Sequence, residues 1–263
     1  MKRTPIAPLL AMSLLLTAAP TSAQQSGQPQ QFPPMAPPAT GYTFPTHQIL
    51  TFTVDWRVFT GGIAVFHLDQ AGGQEKITAT ADTLGTVNML FPVIDRFQST
   101  LDRTTGCSLE FRKQLQEGPR KVTGDLTFDY KAGKQTLVEK NLLKFTSKAQ
   151  TAPIPSCVTD ALSAIFYTAS QPMIVGQDIR FPLADAMRVV AVTMKVEGKE
   201  EIKTPAGTFQ TVRVQPTADE GIVKNRGNIW VWYTDDARHI PVQIRARLFW
   251  GTITFHLQSV ENK

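Results

Sequence analysis

Leu50-Thr51-Phe52-Thr53-Val54-Asp55-Trp56-Arg57 is the stretch on which the fold turns. Apolar and polar residues alternate strictly along it. A strand turns successive side chains to opposite faces, so this pattern predicts a half-buried strand with Leu50, Phe52, Val54 and Trp56 on its covered side. Gly61-Gly62 then interrupts the run, and Ile63 to Leu68 starts a return strand, which makes a hairpin. A third strand follows, where Ile77, Ala79 and Ala81 alternate with Thr78, Thr80 and Asp82.

The same pattern recurs outward from there. Strands are predicted at Phe97 to Leu101, Leu109 to Leu115 and Val122 to Tyr130, with Gln135 to Glu139 returning from a turn at Lys131-Ala132-Gly133-Lys134. Further on, Val190, Val192, Met194 and Val196 alternate with Ala191, Thr193, Lys195 and Glu197. Thr204-Pro205-Ala206-Gly207 is a turn leading into Phe209 to Val214. Ile229 to Tyr233, Val242 to Leu248 and Thr252 to Leu257 form a closing meander, with a bend or bulge at Trp250-Gly251.

Two segments read as helix. Thr86 to Ile94 places Val87, Leu90, Phe91 and Ile94 at helical spacing, until Pro92 interferes. The clearer helix spans about 159–170. Thr159 is its predicted N-cap, Asp160 suits the positive end of the dipole, and Leu162, Ile165, Phe166 and Ala169 share one face before Pro172. Many strands, short polar turns and no alternating helices argue for antiparallel pairing. The expected fold is mainly β: a strongly curved antiparallel sheet or partly closed barrel, with one packed α-helix.

The N-terminus carries an export signal. Lys2 and Arg3 precede an apolar run from Ile6 to Leu16, and Thr21-Ser22-Ala23 offers a cleavage point between Ala23 and Gln24. That run is too short to span a bilayer, which needs roughly 20 apolar residues. No later segment is apolar enough to span, so a soluble mature chain is expected. Cleavage takes 23 residues and two positive charges from a chain of 263 residues and formal charge +5, leaving 240 residues and +3. A charge that small over that length is no nucleic-acid footprint. Residues 24–41, rich in Gln and Pro, are expected to be a disordered spacer. Residues 42–263 then form a single β-rich domain. The destination is the periplasm, or the extracellular space in an organism without an outer membrane.

The two cysteines, Cys107 and Cys157, meet an oxidising compartment after export, which favours a disulfide between them. No His stands near either at ligand spacing, so no metal site is expected. The chain has no G-x-S-x-G elbow, no H-E-x-x-H, no phosphate-binding glycine loop and no G-x-G-x-x-G. No catalytic residue and no cofactor are assigned. His47, His67, His239 and His256 are scattered. Asp235-Asp236 follows a strand and reads as a turn. Arg245 and Arg247 share a polar strand face. Trp230 and Trp232 point to one side of their strand, with Val231 and Tyr233 on the other, and are the candidate ligand-binding pair.

Several motifs together resemble a known family. Asp160-Ala161-Leu162-Ser163-Ala164 followed by Phe166-Tyr167 is similar to a D-x-L-S-A-x-Y-Y helix, with Phe166 in place of the first Tyr. Thr168-Ala169-Ser170 stand where an Arg often follows. Gly176, Thr204-Pro205-Ala206-Gly207-Thr208-Phe209 and Trp230 to Val242 come next in order. With the opening strand and Gly61-Gly62, they resemble the exported bacterial domain-of-unknown-function family numbered three-one-zero-eight, from about Tyr42 to Leu257. The resemblance implies a β-rich envelope protein, usually periplasmic, and brings no reaction and no catalytic residues.

The expected function is a non-enzymatic binding or carrier domain for a hydrophobic or envelope-derived ligand. One alternative is a structural or assembly partner of another envelope protein. A second is an envelope hydrolase, for which Asp235, Asp236, His239 or Ser163 must converge.

Overall fold

The computed structural model describes residues 32–57, 59–225, 228–248 and 251–262. The leader with its Ala23–Gln24 cleavage point, and residues 24–31 of the Gln/Pro-rich segment, lie outside them.

Alternating sequence becomes strand almost throughout. The first half gives β1 (His47–Trp56), β2 (Phe59–Ala71), β3 (Gln74–Thr83), β4 (Ile94–Asp102), β5 (Ser108–Glu117), β6 (Arg120–Asp129), β7 (Lys134–Asn141) and β8 (Thr146–Pro153). The second gives β9 (Asp178–Asp185), β10 (Arg188–Thr204), β11 (Gly207–Thr217), β12 (Asn228–Thr234), β13 (Pro241–Leu248) and β14 (Gly251–Asn262). Among the described residues three short helices interrupt them: α1 (Gly85–Leu90), α2 (Ser163–Ala169) and α3 (Gly221–Asn225).

All fourteen strands form one antiparallel sheet, ordered β8 back to β1 and then β14 back to β9. The opening strand sits at its centre. Leu50 faces Phe66 on β2 and Val260 on β14, and Phe52 faces Ala64 and Leu257. A sheet this wide curls. Here the curl brings its two ends together at Val158 and Thr159. Ser108 at the start of β5 donates its N–H to the Val158 carbonyl at 2.8 Å. Thr159 exchanges backbone hydrogen bonds with β9, donating to Pro182 and accepting from Ala184. Val158 also packs with Leu126 and Leu137 from one end of the sheet and Ala184 and Val189 from the other. No ladder joins β8 to β9, so the barrel is partly closed, as expected.

The helix α2 lies inside the curl. Leu162 and Phe166 belong to a core with Leu50, Phe52, Phe66 and Leu257. Tyr167 and Ala169 belong to a second core with Phe181, Val192, Val212 and Tyr233. The expectation of one apolar face is therefore corrected: this helix is covered on both sides, which is the situation of a helix in a protein interior. The disulfide forms as expected, with the Cys107 and Cys157 Cα atoms 5.2 Å apart. It ties the approach to α2 to the start of β5.

Other expectations need adjustment. Residues 32–41, read as part of a spacer, lie along the domain. Tyr167 Oη both donates to the Ala36 carbonyl and accepts the Ala36 N–H, Ala39 N–H donates to the Ser170 carbonyl, and Gln171 Nε2 donates to the Pro37 carbonyl. Helix α1 forms before Pro92, but none of its residues is buried. Sequence reading missed β8, β9 and α3. Of the expected Trp250-Gly251 bend, Trp250 lies outside the described residues, and Gly251 opens β14 paired with Leu248 of β13.

Candidate functional site

The Asp160-Ala161-Leu162-Ser163 motif is an anchor for α2. Asp160, not the expected Thr159, is the cap. Its carbonyl accepts the Ala164 N–H at 2.8 Å, and its Oδ1 accepts the N–H groups of Leu162 and Ser163 at 2.9 and 3.0 Å. These are first-turn donors with no partner inside the helix. Oδ2 takes two hydroxyls, from Ser99 on β4 and Ser108 on β5. A hydroxyl has a single proton, so Ser99 has none left for Ser163, and in their 2.6 Å contact Ser163 must donate. Ser108 Oγ in turn accepts the Asp160 N–H. All four side chains are fully buried. Burial pushes the Asp160 carboxyl up from its ordinary value, against the opposing pull of the Ser108, Ser99 and backbone hydrogen bonds. The helix start is thereby pinned to two strands of the first half.

Beside the anchored helix is a cavity of about 250 Å³. Ala164 and Ile165 of α2 form one wall. Phe181 and Leu183 of β9, Val192 and Met194 of β10, and Val231 and Tyr233 of β12 form the others. Pro216 and Val223 of α3 also line it. The lining is almost entirely carbon. The one polar group in reach, Tyr233 Oη, is spent on the Ile165 carbonyl at 2.9 Å. Such a space offers no general acid, base or ligand-orienting charge. It offers apolar contact area, and apolar cavities of this size stay dry and take apolar guests.

A larger hollow, about 460 Å³, lies along β3 to β6 and contains Arg96, Arg112 and Lys113. Its cations are already met. Arg96 pairs with Asp82, Arg112 with Glu110 and Asp125, and Lys113 with Glu139. Elsewhere Glu75 is fully buried, with Arg103 Nε 3.7 Å away and no hydrogen bond to either carboxylate oxygen. Burial pushes its carboxyl up to about 7, more than Arg103 draws it down.

The aromatic pair lies away from the cavity. Trp230 and Trp232 occupy the opposite face of β12 from Val231 and Tyr233, as the alternation implied. Trp232 is buried: its Nε1–H donates to Glu200 Oε1 at 2.9 Å, and the Arg245 guanidinium lies 5.2 Å from its ring centre. Trp230 is half-buried beside it. The residues that sequence reasoning missed are those of the cavity. Their alternation was visible in β10 and β12, but nothing local marks a gap between packed surfaces.

The groups a hydrolase needs do not come together. Ser163 is engaged with Ser99. Asp235 pairs with Lys199, and Asp236 closes its turn through Thr234 and Arg238. Although burial pushes it up, the Arg238 and Thr234 hydrogen bonds hold the Asp236 carboxyl below its ordinary value. His239 Nδ1 meets the Ala169 carbonyl at the far end of α2. His256 lies 3.5 Å from Asp55, and His47 pairs with Asp69.

The geometry is that of a β-barrel-like domain with an internal helix and an apolar cavity beside it. By sequence the chain belongs to the DUF3108 family, a family of proteins of unknown function, whose pattern matches residues 51–258. Among curated proteins no relative matches. Among solved structures, a beta-barrel-like protein of the domain of unknown function DUF1849 from Brucella abortus is similar. It is 11% identical, with 84% of this chain and 99% of that one covered and a TM-score of 0.57. At that identity the likeness shows the fold alone. A Bacteroides fragilis protein described as exported, with a YmcC-like fold, matches at 9% identity. It covers 84% of this chain and 99% of its own, with a TM-score of 0.37.

Proposed function

We propose that this protein is an exported, soluble cell-envelope protein that holds a small apolar group, such as a short acyl chain, without converting it. The cavity beside α2 carries this reading. It is lined by carbon, walled by an anchored helix, and empty of groups that do chemistry. At about 250 Å³ it lies just below the roughly 300–1,000 Å³ of drug-sized ligand sites, which suits a short chain rather than a whole lipid. The leader sequence supports export, and a disulfide in a two-cysteine chain supports an oxidising destination. Among the described residues no helix is long and apolar enough to cross a membrane. In an organism with an outer membrane, the periplasm is the compartment.

Native mass spectrometry of protein purified from the envelope tests this. The expected species begins at Gln24 and carries an apolar adduct that organic extraction removes. Ala164→Phe fills the cavity and should abolish the adduct while far-ultraviolet circular dichroism is retained. Adduct-free protein that also takes up no medium-chain fatty acid in solution overturns the reading.

A further inference from the structure

The antiparallel meander sends alternate turns to opposite edges of the sheet. Of the twelve large apolar side chains exposed among the described residues, ten lie on one edge. They sit in three connections: β1–β2 with Trp56 and Phe59, β3–α1–β4 with Met89 and Leu90, and β7–β8 with Leu143 and Phe145. Leu90 is 85% exposed and Phe145 93%. A fourth connection, β5–β6, joins them. The Leu84 N–H donates to the Gly61 carbonyl, the Gly118 N–H to the Pro92 carbonyl, and the ring of Phe91 lies against Gly118. Helix α1 thus links the β1–β2 turn to the β5–β6 turn.

Scattered exposed apolar residues are ordinary, but a set gathered on one edge marks a contact surface. The charges choose the partner. Between their strands these four connections carry Arg57 and Lys144 and no acid, and beside the fourth Arg120 is paired with Glu117. Cations are interleaved with apolar tips, in Trp56-Arg57-Val58-Phe59 and Leu142-Leu143-Lys144-Phe145. Arg57 lies 5.8 Å from the Trp56 ring centre. In a two-fold pairing with a second copy, like charges are brought toward one another. A bilayer surface takes apolar and aromatic tips into its interfacial zone and meets cations with anionic headgroups.

We propose that this edge docks on an anionic lipid bilayer, with the β1–β2, α1 and β7–β8 tips inserted and the interleaved cations against lipid phosphates. The proposal rests on the loops alone and stands whether or not the cavity holds a ligand. Helix α3, whose Val223 lines the cavity, lies in the β11–β12 connection at the same edge, so docking also brings the cavity toward the lipid.

Cosedimentation of the protein with vesicles tests it. Binding is expected to vesicles of phosphatidylcholine with phosphatidylglycerol, weakening roughly tenfold or more on pure phosphatidylcholine or in Arg57→Gln/Lys144→Gln. Leu90→Ser/Phe145→Ser should lose binding with unchanged thermal unfolding, because both side chains are exposed. Absence of wild-type binding to anionic vesicles overturns the proposal, as does binding that these variants leave intact. A concentration-dependent dimer that Leu90→Ser/Phe145→Ser abolishes, in protein that ignores vesicles, assigns the edge to a second copy instead and also overturns it.

Discussion

Four donors from buried residues converge on the carboxylate of Asp160. Buried donors stripped of their acceptor are costly, about 1–3 kcal/mol each before any relaxation. Asp160→Ala should therefore destabilise the domain by about 3 kcal/mol or more, lowering Tm by roughly 6–12 °C in a thermal melt. Asp160→Asn keeps the shape and one good acceptor and should cost less. Glu75 shows the reverse situation, an acid with too few donors. Its carboxyl lies at about 7 in the folded chain against an ordinary 4.5. The folded state holds that proton more tightly than the unfolded state does. Stability contributed by the neutral form is therefore full below about pH 4.5 and is lost as pH rises to about 7, by roughly 3 kcal/mol. Burial raises Asp160 and Asp95 too, so they act in the same direction. Urea unfolding across this pH range should show that slope, and Glu75→Gln should flatten it.

At the scale of elements, α2 is only seven residues long and cannot stand alone. Three attachments hold it: the Asp160 network at its start, the disulfide just ahead, and residues 32–41 across Tyr167 and Ser170. The disulfide closes a loop of 50 residues, which on the chain-entropy model stabilises by about 4 kcal/mol. Cys107→Ser/Cys157→Ser should lose about that much in denaturant titration. The elements that sequence reading missed share a cause. β8 is an edge strand exposed along most of its length, so it has no buried side to produce alternation. β9 is the opposite edge strand and carries Pro182, which cannot donate to a ladder and argues against a strand on sequence grounds. β10 conceals more. A register shift between Val196 and Gly198 lets its first part serve the second core and Ile202 the first.

At the scale of the molecule, one strand crossing decides the architecture. β1 pairs with β14, so a chain of local hairpins becomes a single sheet whose middle is made of its two ends. The centre is then covered, with Leu50, Phe52 and Leu257 fully buried. The curl places α2 inside and opens the cavity on one side of it, while the antiparallel order collects the apolar turns on one edge. Each of these is a relation between segments far apart in sequence.

By itself the sequence determined the strands other than β8 and β9, the antiparallel class, the helix near residue 163, the cysteine pair and the family. Period-two alternation, turn chemistry and ordered motifs are local properties, written within a few residues of where they act. The tertiary structure alone decided that Asp160 is a buried hub, that Trp232 is covered by its own chain, and that residues 32–41 pack on the domain. It alone decided that a carbon-lined space lies beside α2. Those depend on which surfaces meet, and a side chain's neighbours across a sheet leave no mark on the residues beside it in the chain.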